Sequence, residues 1–241
     1  MNETTKSQEL DPQVRQLLLQ VSTATLHTAL FKQGLRNTYI QGVSRINTSN
    51  VKMVGQAFTL RYIPAREDID SIEAFKDPKH PQRLAVETVP EGHILVSDCR
   101  QDASAASAGS ILLTRLEYRK CAGFVSDAGI RDADAAAQMD MPIFCAKASA
   151  PTNLTKHHAV DIQVPIGCGG VMVFPGDVLV GDGDGIIVIP FERVVEIANE
   201  AIRMERFEDY VIGKVRNGSA VIGLYPPSDA ARADYEKYAE L

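Results

Sequence analysis

Arg131 and Asp132 stand side by side where the apolar run GFVSDAGI gives way to the helical pattern DADAAAQM. If that run is a parallel strand, the pair lies at its carboxyl end, where open α/β sheets place their ligands. A guanidinium and a carboxylate there could bind a small charged molecule. They could equally be an N-cap aspartate beside a solvated arginine. A second half-site bears on the choice. In DASAASAGSILLT, Gly109 and Ser110 mark the point where an alanine-rich stretch becomes a packed helix, so free backbone N–H groups there could hold a carboxylate or phosphate. Adjacent parallel strands would bring that spot close to Arg131.

Other polar motifs carry less. GDGDG at 181–185 begins like a calcium loop, but Ile186 stands where a ligand is needed and no glutamate closes the motif, so a hairpin turn is expected. IGCGG and the GDGDG glycines fail the dinucleotide fingerprint because neither follows a strand and opens a helix. There is no Walker sequence and no H-E-x-x-H. His157 and His158 fall in an expected loop, and adjacent side chains rarely converge on one metal. The four cysteines, Cys99, Cys121, Cys145 and Cys168, form no C-x-x-C pair and read as reduced, buried thiols.

Several elements must position these groups. Asp11 and Pro12 open a first helix; Ser22 or Thr23 caps a second, which Gly34 ends. VKMVGQAFTLRYIP reads as a core strand, and the segment from Arg66 to Val89 as short helical patterns around the loop KDPKHP, peripheral to the rest. From His93 strand and helix alternate: HILVSDC, the helix ASAASAGSILLTRLEYRK, CAGFVSD, the helix DADAAAQM, and PIFCAK. This argues for parallel strands joined by crossovers. Residues 161–190 read as hairpins turning at PGD and GDGDG, and FERVVEIANEAIRMERFEDYVIGKV as a long helix packed by one face. The acidic tail PPSDAARADYEKYAEL reads as a solvated helix, with a reach across an interface as the alternative. A single domain over residues 1–241 is expected, with N-terminal helices and a C-terminal helical extension.

A net charge of -6 and a pI near 5.4, without a Lys/Arg cluster, leave no electrostatic footprint for nucleic acid. The polar opening MNETTKSQELDPQ, whose residues 1–9 read as frayed, lacks the features of a signal peptide. No apolar run nears the roughly 18 residues of a membrane span. A soluble cytoplasmic protein is expected.

Together the stretches STATLHTAL, VGQAFTLRY, ILVSDCRQDASAASAGS, GFVSDAGIRD and VPIGCGGVMVFPGDVLVGDGDGIIVIP resemble the class II 4-hydroxy-4-methyl-2-oxoglutarate aldolases and the related regulator of ribonuclease activity A proteins. The resemblance spans roughly residues 20–190. It implies an α/β fold, an α-β-β-α sandwich of the swivelling (phosphohistidine-domain-like) type, assembled as a homotrimer or hexamer with sites between subunits. It further implies a small 2-oxo acid substrate, Arg131 on the keto oxygen, Asp132 holding Mg²⁺ or Mn²⁺, and the substrate carboxylate near Gly109, Ser110, Ile111 and Leu112. The aldolase branch has an acidic residue where this chain has Ser110, which can bond a metal-bound water but cannot balance charge. The ribonuclease regulators lack the aspartate after the arginine; this chain keeps it, which favours an enzyme. The implied chemistry is a metal-dependent lyase reaction, aldol cleavage to pyruvate or oxaloacetate decarboxylation. The alternatives are a dehydratase or hydrolase of a 2-keto-3-deoxy sugar acid, and a non-catalytic regulator that binds a ribonuclease.

Overall fold

Two capped helices begin the chain in the computed structural model, which describes residues 9–48 and 51–239. The opening stretch expected to fray lies outside them, apart from Glu9. In α1 (Pro12–Gln20) the Asp11 carboxylate accepts from the Gln13 amide at 2.7 Å, with Pro12 in the first helical position. In α2 (Thr23–Lys32) the cap is Ser22, whose hydroxyl accepts from the Thr25 amide at 3.1 Å. Thr23 instead bonds Asp182 through its amide and its hydroxyl, at 2.8 and 2.6 Å.

The strands are β1 (Ser44–Arg45), β2 (Met53–Pro64), β3 (His93–Asp98), β4 (Ala106–Ala108), β5 (Gly123–Ile130), β6 (Ile143–Ala148), β7 (His157–Ile162), β8 (Val178–Gly181) and β9 (Ile186–Ile189). The remaining helices are α3 (Pro81–Thr88), α4 (Ser110–Tyr118), α5 (Ala133–Ala136), α6 (Val194–Arg216) and α7 (Asp229–Ala239). All the strands join one mixed sheet in the order β1-β6-β5-β3-β2-β8-β9, with β4 paired to β5 and β7 to β2. As the alternation predicts, β3, β5 and β6 run parallel, and β2 joins them parallel to β3. GDGDG joins β8 and β9 as an antiparallel hairpin, closed by the Asp182 amide donating to the Gly185 carbonyl at 3.0 Å.

The sheet curls, and β2 shows how. Its side chains alternate with period two. Val54 packs with α1, α2 and α6, while further along the strand Phe58, Leu60 and Tyr62 pack with α3 and α4. Met53 and Ala57 point the other way, into a third cluster where Val96, Val125 and Phe144 meet Leu179, Ile186 and Val188. The curl thus folds β8 and β9 over the inner face of the parallel strands. The long helix α6 buries Val194, Ile197 and Ala201 as its spacing predicts. The tail helix α7 lays Tyr235 and Tyr238 against Tyr210 of α6 and buries no residue.

Three expectations are corrected. The alanine-rich stretch does not start a helix: residues 106–108 form β4, and α4 begins only at Ser110. Intrinsic helix propensity, even alanine's, is a weak preference, whereas β5 offers these residues a buried ladder, with Gly129 donating to the Ala105 carbonyl at 3.1 Å. His157 and His158 are strand residues paired with β2, not loop residues, because the ladder to β2 continues past the bulge between Arg61 and Tyr62. The segment from Arg66 to Val89 is not peripheral; it walls the cleft described next.

Candidate functional site

The site depends on β5 being longer than β3. Residues Gly123–Ser126 pair with β3; beyond them Gly129 and Ile130 pair with β4. The Arg131 amide extends this pairing by donating to the Ala108 carbonyl at 2.9 Å. Gly109 and Ser110 are therefore set beside Arg131 and Asp132, the juxtaposition that adjacent parallel strands predict.

Asp132 adopts a left-handed conformation, φ 59° and ψ 44°, uncommon outside glycine but tolerated by aspartate. It occupies the N-cap position of α5 without capping that helix. Its Oδ2 instead crosses to the start of α4, accepting from the Ser110 amide at 3.0 Å and the Ser110 hydroxyl at 2.8 Å. Both the capping and the ligand readings thus have a counterpart: the aspartate caps a helix, but a neighbouring one, while its carboxylate stays exposed in a cleft. Gly109 makes room for this. A Cβ there would lie 3.1 Å from Asp132 Oδ2 and 3.4 Å from the Arg131 Cβ.

The electrostatics follow from these contacts. The Ser110 amide, then the Ser110 hydroxyl, and lastly the charge of Arg131 hold the Asp132 carboxyl below the usual aspartate range. Asp132 is thus ionised at neutral pH, with Oδ1 uncommitted among the described residues. The Arg131 guanidinium likewise has no hydrogen-bond or ion-pair partner among them. Because the Ser110 amide is engaged by Asp132, the open donors of the first turn of α4 are the Ile111 and Leu112 amides.

These residues open into a cleft of about 290 Å³. Its walls include Gly109, Ile111, Leu112, Arg131 and Asp132, together with Phe75, Gln82, Arg83, Thr152 and Asn153. The last five were missed in the sequence, where nothing marks a short helix after a proline-dense loop as part of a site. Gln82 ties α3 to β4 by donating to the Ser107 carbonyl at 2.7 Å.

The donor set suits a hard divalent cation bound with water. Asp132 is the only carboxylate lining the cleft among the described residues, and no cluster of three or more His, Cys, Asp or Glu side chains that could hold an ion occurs among them. Mg²⁺ commonly binds through one or two carboxylates and fills its shell with water and substrate oxygens. His157 and His158 point to opposite faces of β7: His157 is 0% exposed against Tyr62, and His158 pairs with Asp70 at 2.7 Å. The cysteines are all free and buried. Burial pushes Cys121 up to about 11, Cys145 up to about 12, and Cys99 and Cys168 well above the usual thiol value, so none is an activated nucleophile.

IGCGG is an anchor. Asp127, 2% exposed in the middle of β5, accepts from the amides of Cys99, Gln101 and Gly169 at 2.6, 3.0 and 3.2 Å. This fastens the glycine turn and the left-handed residues Arg100 and Gln101 to the sheet.

A curled mixed α/β sheet with a charged cleft at the carboxyl ends of its parallel strands defines the class. The profile of the RraA-like family, described as Aldolase/RraA, matches residues 23–188, and the chain belongs to that family. A protein of Halalkalibacterium halodurans, provisionally named 4-hydroxy-4-methyl-2-oxoglutarate aldolase, is 41% identical over 99 residues, 41% of this chain and 47% of that one. One of Ectopseudomonas mendocina with the same provisional name is 38% identical over 100 residues, 42% of this chain and 61% of its own length. The chain spans about half the length of the curated relatives it matches. Among solved structures, RraAS2 of Streptomyces coelicolor, described as an unusual member of the RNase ES inhibitor RraA protein family, superposes with a TM-score of 0.74. It is 29% identical and covers 84% of this chain and 97% of its own. An uncharacterized protein of Pseudomonas syringae shares the fold, with a TM-score of 0.76 at 23% identity over 89% of this chain and 97% of its own. Among the described residues no helix is long and apolar enough to cross a membrane.

Proposed function

We propose that the cleft is the active site of a lyase that breaks a small 2-oxo acid, by aldol cleavage to pyruvate, by decarboxylation of oxaloacetate, or by both. The observation that carries this reading is an uncommitted guanidinium beside an ionised carboxylate and two open helix-terminal amides, all in one cleft. In either reaction the bond beyond C3 breaks and its electron pair stays on C3, delocalising onto the 2-oxygen. Arg131 donates to that oxygen as charge accumulates on it. The Ile111 and Leu112 amides receive the substrate's 1-carboxylate at the positive end of α4. Mg²⁺ or Mn²⁺ held by Asp132 would supply Lewis-acid polarisation of the 2-oxo group. Ser110 keeps the Asp132 carboxylate oriented and charged. Aldol cleavage also needs a base for the 4-hydroxyl proton. Water, or an acidic residue of a neighbouring copy in a homotrimer or hexamer, fills that role.

The test is pyruvate release from oxaloacetate or from a 4-hydroxy-2-oxo acid, with Mg²⁺ or Mn²⁺ supplied and then chelated. Release that requires the ion supports the reading; no release from either substrate overturns it. Loss of water without pyruvate would point to a dehydratase. The likeness to the Streptomyces RraAS2 favours one second reading, a ribonuclease-binding regulator. Inhibition of a ribonuclease that survives both chelation and Asp132→Ala would establish it.

A further inference from the structure

We infer that Arg83 sets the specificity of the cleft by receiving an anionic group, carboxylate or phosphate, at the end of the substrate remote from its 2-oxo acid. This rests on reading the cleft as a 2-oxo acid site. Arg83 and Arg131 both line it, against the single carboxylate of Asp132, which is already bonded to Ser110. One cation and the α4 amides suffice for the 2-oxo carboxylate, which leaves the second cation for a second anion. Arg83 forms no salt bridge with any described carboxylate; its guanidinium carbon lies 4.4 Å from the Phe75 ring centroid. Stacking on an aromatic face holds the planar fork in place and leaves its edge free to donate.

Two further observations agree. Asn153 walls the same cleft, is 5% exposed, and its Nδ2 has no partner among the described residues, so the cleft wall holds a further donor besides the arginines. The segment that carries Phe75 is tied down upstream. The Asp70 carboxylate pairs with His158 of β7 at 2.7 Å and accepts from the Arg66 amide at 2.8 Å, so the ring beneath Arg83 sits on an anchored support.

The test measures calorimetric binding of three 2-oxo acids of matched length, ending in carboxylate (2-oxoglutarate), phosphonate (2-oxo-4-phosphonobutanoate) and methyl (2-oxopentanoate). The wild-type protein should prefer an anionic end over methyl by about 10- to 100-fold, and the tighter anion identifies which one the subsite takes. Arg83→Gln should erase that ratio, Arg83→Lys should keep part of it, and Phe75→Leu should lower it by loosening the arginine. Circular dichroism identifies any variant that fails to fold, and the other two then decide. A ratio unmoved in the folded variants, or a wild-type protein with no preference, overturns the inference. If the preference and its Arg83 dependence hold while pyruvate release fails, only the lyase reading falls. If turnover is seen with an unmoved ratio, only the subsite falls.

Discussion

Asp127 lies in the middle of β5 and Asp132 just past its end, and the same functional group does opposite work at the two places. Asp127 is buried and spends both oxygens on three backbone amides, which holds two loops to the sheet. Burial raises its pKa even against those donors. Asp132 is exposed, spends one oxygen on Ser110 and leaves the other open, and its donors lower its pKa. A carboxylate whose partners are all backbone amides is an anchor. One that remains charged with an oxygen to spare, beside an arginine unpaired among the described residues, is equipped for a ligand.

The contrast can be broken by mutation. Asp127→Ala strands three amides, two of them on buried residues, and should cost about 3–5 kcal/mol of stability in urea denaturation. A loss below 1 kcal/mol would remove its anchoring role. Arg131→Ala and Asp132→Ala should each lower kcat/KM for pyruvate release by about 10²- to 10³-fold. The cost in stability should be small by comparison, since Asp132→Ala removes only an exposed cap of α4. Equal damage to fold and activity in both carboxylate variants would erase the distinction. Ser110→Asp faces Asp132 with a second carboxylate. Without a cation it should cost about 1 kcal/mol, and added Mn²⁺ should raise its Tm more than that of the wild type. A Tm gain from Mn²⁺ smaller than the wild type's would count against a cation at this place.

The smallest effects are pH slopes of opposite sign. The raised pKa of Asp127 means that the folded state holds this proton more tightly than the unfolded chain. Its contribution to stability therefore falls as pH rises from the unfolded value near 4 through the raised one. The lowered pKa of Asp132 contributes stability that is present above about pH 4 and lost as pH falls through the lowered value. In urea titrations the gap between wild type and Asp127→Asn should narrow with rising pH. The gap for Asp132→Asn should widen and then level off. Parallel slopes would show that the two environments do not differ as described.

Much of this arrangement was legible in the residues. Alternating strand and helix patterns after His93 announced the parallel strands, GDGDG announced its hairpin, and glycine and serine at the head of α4 announced the neighbour of Arg131. Two things were not legible. Residues 106–108, Ala-Ser-Ala, have a helical preference too weak to resist a sheet ladder that exists only once β5 is in place. The arginine of α3 carries no local sign that Phe75 will lie beneath it and Arg131 will share its cleft.

By itself the sequence determined the groups available for chemistry, the strand that delivers Arg131 and Asp132, and the resemblance that names a chemistry for them. Only the tertiary structure decided that Asp127 within β5 is an anchor while Asp132 past its end faces the cleft, and that Ser110 holds Asp132. The physical reason is that protonation and hydrogen bonding depend on the solvent and donors around a group. Those come from β4, α4 and the glycine turn, which meet β5 only when the chain has folded.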